Sequence, residues 1–191
     1  MSASSTVWQG AGRRIHMQEV GTRDGLQMEQ AFVPTEEKIA LVNALSNAGL
    51  SKIEVTSFTS PTAIPALRDA EIVMREITRL PGTVYTALVP NLRGAERAIE
   101  ARTDELNLVM SASETHNISN LRMTREQSFA SLAQVVATAQ AAQVAVNVSL
   151  SCVFGCPMEG NVHASAVFDW VQRFADLGVR GITLGDTTGM A

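Results

Sequence analysis

The chain has 191 residues, 46% hydrophobic and 18% charged, with a formal net charge of −4 and an isoelectric point near 5.4. That balance supplies an ordinary globular core, and the absence of a basic excess argues against a nucleic-acid or anionic-membrane surface. No apolar run reaches the roughly 18 residues of a membrane span, so neither nucleic acid nor membrane is an expected partner.

Residues 1–14 read as a short leader, because Met1–Trp8 lacks the charged start and apolar core of a secretory signal. The remainder, 15–191, reads as one domain of alternating strands and helices. The first strand is expected at Ile15–Val20, followed by the polar turn Gly21-Thr22-Arg23-Asp24-Gly25-Leu26-Gln27. A helix follows from Pro34-Thr35-Glu36-Glu37, where Thr35 can cap and both glutamates suit the positive end. Ile39, Leu41, Val42, Leu45 and Ala48 then recur near the helical period, and Gly49 ends the run.

Strand two is expected at Lys52–Thr56, then a loop punctuated by Pro61 and Pro65 and a helix around Arg68–Arg79. Strand three, Val84–Val89, follows the Pro81-Gly82 turn, and a short helix at Leu92–Ala101 leads to strand four, Glu105–Met110. Ser111–Met123 reads as a long polar loop before a helix from Thr124 to Ala142, with Thr124 and Gln127 spaced as a capping box. Strand five is Val144–Leu150, Ser151–Val162 is another long loop, Ala164–Leu177 is helical, and strand six is Gly181–Leu184.

Strand starts about 20 to 40 residues apart fit βα units and a parallel sheet. A (β/α)8 TIM barrel and a doubly wound open sheet both place chemistry at the carboxyl ends of the strands. The open sheet predicts a phosphate-binding glycine fingerprint, which Gly21–Gly25 is not. Polar residues instead collect after every strand, among them Arg23, Asp24, Ser57, Asn91, Ser111–Asn117, Ser151 and Asp186, and this favours the barrel rim.

Several of these strand-end blocks are specific. Glu19–Gln27 resembles the signature of the hydroxymethylglutaryl-CoA lyases, a family of metal-dependent lyase and synthase barrels. The resemblance continues through Ile53–Phe58, Pro90–Gly94, Ser111–Glu114, Ser151–Pro157 and Leu184–Gly189, in the family's order. It implies a (β/α)8 barrel of which this chain supplies about the first six βα units. It also implies cleavage of 3-hydroxy-3-methylglutaryl-CoA, or a related acyl-CoA, to acetyl-CoA and acetoacetate.

The residue chemistry agrees with that implication. Cleavage leaves an enolate on the thioester fragment, which needs positive charge in a site with little water. By resemblance, Arg23 supplies it, Asp24 is a ligand of Mg2+ or Mn2+, and Glu54 orients Arg23. Asp186 serves proton handling or positioning, and Gln27 and Ser57 touch the acyl group or the pantetheine arm.

From the residues alone, Arg23–Asp24 equally suits a structural ion pair on a turn, Glu54 a buried paired acid, and Asp186 a helix cap. Synthase relatives usually carry Glu or Ser at the position of Leu26, so the apolar residue favours the lyase.

The family's metal is also held by a His-x-His pair on strand seven and a later Asn, with a catalytic Cys on a Gly-rich loop. His16, His116 and His163 are isolated in sequence. Cys152 and Cys156, spaced C-x3-C, fit neither a zinc knuckle nor a redox pair and suggest reduced thiols in the cytoplasm.

The remaining metal ligands are therefore expected beyond residue 191. Six strands cannot close an eight-strand barrel, so strands one and six should expose apolar side chains. Either the chain is part of a longer protein, or two copies or another chain cover the open edges. A homodimer is the expected assembly, and the 191 residues alone are expected to be inactive, whether as a fragment or as a non-catalytic module.

Overall fold

The computed structural model describes residues 16–191, so the leader expected over 1–14 lies outside the described residues, as does Ile15. Six strands form one sheet, each parallel to the next and in sequence order: β1 (Gln18–Glu19), β2 (Lys52–Ser57), β3 (Val84–Leu88), β4 (Glu105–Ser111), β5 (Ala145–Ser151) and β6 (Gly181–Leu184). The order never reverses. A doubly wound sheet requires such a reversal, so the architecture is a partial TIM barrel.

Helices fill every crossover: α1 (Thr35–Asn47), α2 (Ala70–Glu76), α3 (Leu92–Glu100), α4 (Glu114–Leu121), α5 (Arg125–Ala141) and α6 (Ala164–Asp176). Their ends follow local chemistry. Thr124 caps α5 in a reciprocal box with Gln127, at 3.1 and 2.9 Å. Gly49 and Gly178 follow α1 and α6 with φ of +84° and +78°, conformations that suit glycine.

Four expectations require correction. The β1 pairing is confined to two residues, because Val20 already accepts the amides of Arg23 and Asp24 and starts the turn. Thr35 does not cap α1: Pro34 holds the cap position, and the Thr35 hydroxyl donates to Asp69 Oδ2 instead at 2.8 Å. The second helix is shorter than Arg68–Arg79, because Ile77 turns extended. Ser111–Met123 is not a loop, since Ser113 accepts the His116 amide at 3.2 Å to cap α4, which Arg122 ends in the left-handed region at φ +57°.

The two faces of the sheet carry different residues. Leu106, Leu108 and Met110 of β4 and Val146, Val148 and Leu150 of β5 point outward into the helical layer and are buried. The alternate residues, Glu105, Asn107, Asn147 and Ser149, point to the other face. There, Glu54 and Asn107 hydrogen-bond at 2.8 Å although β3 lies between their strands. Contact over an intervening strand requires the sheet to curl toward that face. Lys52 and Glu105 pair over β3 in the same way, one tier lower.

At the β6 edge, Phe154, Val167, Phe168, Ile182 and Leu184 line an apolar groove of about 500 Å3. Phe168 is 70% exposed there. At the opposite edge Met17 and Val20 are exposed as well. Of these, Leu184 is the exposed apolar side chain within β6 itself, whereas Val167 is buried, Phe154 and Phe168 belong to the preceding loop and α6, and Met17 and Val20 flank β1.

Candidate active site

The site starts where β1 ends. Gly21–Gly25 makes a single wide helical turn in which Val20 O accepts from Arg23 N at 3.0 Å and Asp24 N at 2.7 Å. Thr22, buried in this turn, donates its hydroxyl to the Glu54 carbonyl at 2.7 Å and fastens the turn to β2. Gly21 donates its amide to Glu19 Oε1 at 2.5 Å, and a Cβ at Gly21 would lie 2.9 Å from that oxygen. A side chain there would push the flexible Glu19 carboxylate aside.

The turn aims Arg23 inward along the strand ends. Arg23 Nε donates to Glu54 Oε1 and Nη1 to Asp24 Oδ1, while Nη2 takes no partner among the described residues. The arginine side chain is 15% exposed, Glu54 1% and Asp24 62%. One cation therefore bridges a buried carboxylate behind it and a solvent-facing one in front. A guanidinium held by two of its edges is pre-organised, with donors left for an external oxygen.

Glu54 does not rest on Arg23 alone. Its Oε2 accepts from Asn107 Nδ2 at 2.8 Å and from Gln18 Nε2 at 3.4 Å. Behind Asn107, the Oδ1 accepts from Asn147 Nδ2 and Ser149 Oγ, both at 2.9 Å, and Asn147 meets Thr183 Oγ1 at 3.1 Å. A buried carboxylate must be satisfied this way or be costly.

Of the residues expected at the site, Arg23, Asp24 and Glu54 are brought together. No hydrogen bond joins Gln27, Ser57 or Asp186 to them among the described residues. Half-buried Gln27 lines a separate cleft of about 370 Å3 with Phe32, Ala66 and Arg68. Ser57 is buried at the end of β2, its hydroxyl 2.7 Å from Thr59 Oγ1. Asp186, exposed after β6, accepts from Met190 N at 2.9 Å and Ala191 N at 3.3 Å. The Met190 amide, helped by neighbouring amides against a small desolvation effect, holds its carboxyl below the usual range.

His116 lies on α4 with Nδ1 buried and no partner among the described residues, and His163 stands exposed before α6. Cys152 and Cys156 are buried free thiols. Burial pushes the Cys156 thiol up, but hydrogen bonds from Ser113 and the Met158 and Glu159 amides outweigh it and leave it below its ordinary value.

A divalent cation is only partly provided for. Among the described residues no group of three or more His, Cys, Asp and Glu could hold one. Asp24 offers a hard oxygen, but Arg23 takes its Oδ1, and a single carboxylate holds Mg2+ poorly. The residues present do not fit the ion by themselves.

The polar tier Gln18, Asn107, Asn147, Ser149 and Thr183 is absent from the sequence-based expectations. Its signal was the period-two polarity of Glu105–Val109 and Ala145–Ser149, where asparagines interrupt otherwise apolar strands.

A model of the HMGL-like family matches residues 14–191. The hydroxymethylglutaryl-CoA lyase YngG of Bacillus subtilis is 45% identical over 94% of this chain and 60% of its own length. The human mitochondrial hydroxymethylglutaryl-CoA lyase is 40% identical over 93% of this chain and 55% of its own. The chain thus spans a little over half the length of the curated relatives it matches.

Among solved structures, the Bacillus subtilis HMG-CoA lyase superposes with a TM-score of 0.91 at 45% identity, covering 94% of this chain and 60% of that one. An Acinetobacter baumannii HMG-CoA lyase in complex with coenzyme A and 3-methylmalate superposes at 0.86 with 52% identity, covering 91% and 57%. No helix among the described residues is long and apolar enough to cross a membrane.

Proposed function

The chain belongs to the HMGL-like family, and on that footing we propose that the protein is a carbon–carbon lyase. In this reading it cleaves 3-hydroxy-3-methylglutaryl-CoA, or a closely related acyl-CoA, to acetyl-CoA and acetoacetate. The observation that carries the reading is Arg23, fixed between Glu54 and Asp24 at a barrel strand end with Nη2 open.

Removal of the tertiary hydroxyl proton lets the adjacent carbon–carbon bond break. Its electron pair passes to the carbon α to the thioester, delocalised onto the thioester oxygen as an enolate, and protonation of that α carbon yields acetyl-CoA. The charge that develops sits on the thioester oxygen. Arg23 donors aimed there act in the transition state more than in the ground state, which is where binding accelerates a reaction.

Glu54 keeps the guanidinium from turning, and Thr22 keeps the turn from moving away from β2. The Met190 amide and its neighbours favour the charged form of Asp186 and weaken it as a base. It therefore suits positioning better than moving a proton. Gln27 and Ser57 belong to the contacts of the acyl group or pantetheine arm in this reading.

Lyases of this family are generally dependent on a divalent metal, and Mg2+ or Mn2+ suits the Asp24 oxygen. The ligands besides Asp24 come from outside the described residues, and no step above is routed through the ion. A cytoplasmic homodimer completes the proposal.

The test is incubation of the intact protein with hydroxymethylglutaryl-CoA and, separately, with a 2-oxo acid plus acetyl-CoA, following acetoacetate and free thiol. Release of acetoacetate from the first mixture alone supports the lyase. Condensation in the second overturns it in favour of a synthase, and silence in both favours a non-catalytic module. The 191-residue chain assayed alone should be inactive.

A further inference from the structure

We propose that Asn107 is a positioning residue for Arg23, acting through Glu54, a role that rests on the lyase reading above for its catalytic consequence. Glu54 has two carboxylate oxygens and Arg23 uses one of them. A carboxylate held by one oxygen alone can swing about its terminal torsion, which is broad for sp3–sp2 bonds. The second oxygen therefore decides whether the arginine has a fixed partner.

Asn107 Nδ2 holds that oxygen at 2.8 Å, whereas Gln18, the other donor, lies at 3.4 Å. Both Glu54 and Asn107 are buried, so water does not take over if the amide is removed.

The direction of the Asn107 amide is itself fixed. Its Oδ1 faces Asn147 Nδ2 and Ser149 Oγ, both at 2.9 Å. Asn147 is held in turn by Thr183 on β6, at 3.1 Å. With donors on one side and a carboxylate on the other, only one amide orientation satisfies every partner.

Gly181 is an independent sign of this arrangement. A Cβ at that position would lie 2.8 Å from Asn147 Oδ1, so the residue opposite Asn147 in the β5–β6 register must be small for the asparagine to keep its place. The geometry makes one chain of contacts from β6 through β5, β4 and β2 to the guanidinium at the end of β1.

The experiment compares wild type with Asn107→Leu, Asn107→Asp and Asn147→Leu in the intact protein. Steady-state kinetics, thermal midpoints and the 15N-detected Nε–H resonance of Arg23 are measured for each. Asn107→Leu removes the donor at similar volume and should lower kcat about 10- to 100-fold, as misplacement of a catalytic group by a mutation behind it does. KM should stay within about threefold, because the contact aims a transition-state donor.

Asn107→Asp replaces the donor by a second carboxylate against Glu54 and should cost more than Asn107→Leu. Asn147→Leu leaves Ser149 in place, so it should act in the same direction but less, and it remains informative if the Asn107 variants do not fold. In each case the Arg23 Nε–H signal should shift or broaden in proportion to the loss of kcat.

An unchanged Arg23 resonance overturns the proposal, including the case where kcat falls only alongside the thermal midpoint. So does a kcat within about threefold of wild type in Asn107→Leu. If wild type shows no lyase activity, the functional reading fails, and the resonance comparison still decides whether Asn107 orients Arg23.

Discussion

The two faces of this sheet are built from the same strands and do opposite work. The outer face presents Leu106, Leu108, Met110, Val146, Val148 and Leu150 to the helices, all buried in one cluster. The inner face presents Lys52, Glu54, Glu105, Asn107, Asn147 and Ser149, linked by hydrogen bonds and ion pairs. Barrel interiors are more usually filled with branched aliphatic layers. Replacing them with polar groups gives up hydrophobic stabilisation in exchange for fixed directions, so stability should reside outside and reactivity inside.

The strongest way to test that division is Arg23→Lys. Lysine keeps the charge beside Glu54 but cannot bridge two carboxylates with a planar fork. If the inner face sets reactivity, kcat should fall on the order of 100- to 1000-fold, about 3–4 kcal/mol of barrier, while the thermal midpoint moves by only a few degrees. A midpoint that collapses with activity would erase the distinction between the faces.

The converse variant is Leu108→Ala on the outer face. Deleting a fully buried leucine side chain should cost about 2–5 kcal/mol of unfolding free energy in urea titrations. The remaining folded protein should keep its kcat. An activity loss larger than the folded fraction explains would mean that packing in the helical layer reaches the site directly.

Thr22→Val probes the seam between the two. It removes a buried 2.7 Å hydrogen bond to the Glu54 carbonyl at nearly constant volume. About 1 kcal/mol of stability should go with it, together with a modest fall in kcat as the turn loosens. If only one of the two quantities changes, the seam belongs to a single face.

The outer face was legible because burial leaves a periodic imprint. Alternating apolar residues located β4 and β5 to within a residue, and the Thr124–Gln127 pair placed the start of α5. The Arg23–Asp24 turn was legible for another reason: its order of residues is specific, so its neighbours could be matched block by block. The inner tier was harder because its hydrogen bonds, one over β3 and one between β4 and β5, join residues 53 and 40 positions apart, and no local pattern pairs Glu54 with Asn107 or Asn107 with Asn147. Helix α4 escaped because its polar run Thr115–Asn120 lacks an apolar stripe and is held instead by the Ser113 cap and the buried Asn117 side chain, which donates to Met123 O and Ser128 Oγ. Thr35 misled for a related reason: a nearby carboxylate outcompeted the helix end for its hydroxyl.

The smallest effect is expected at the rim, where the faces meet. Glu159 Oε1 accepts the Thr115 amide in the first turn of α4 at 2.5 Å, tying the loop after β5 to that helix. This amide bond, opposed by slight desolvation, holds the Glu159 carboxyl below the ordinary glutamate value. A carboxyl lowered on folding stabilises the native state fully above its unfolded pKa, and that contribution disappears as pH falls through the lower folded value. Glu159→Gln keeps an acceptor and removes the charge, so it should cost about 0.5 kcal/mol near pH 7, screened by its exposure. Urea titrations at successive pH values should show wild type and variant converging in acid. A gap that persists below the folded pKa would mean the loop is held by shape, and that charge matters only on the inner face.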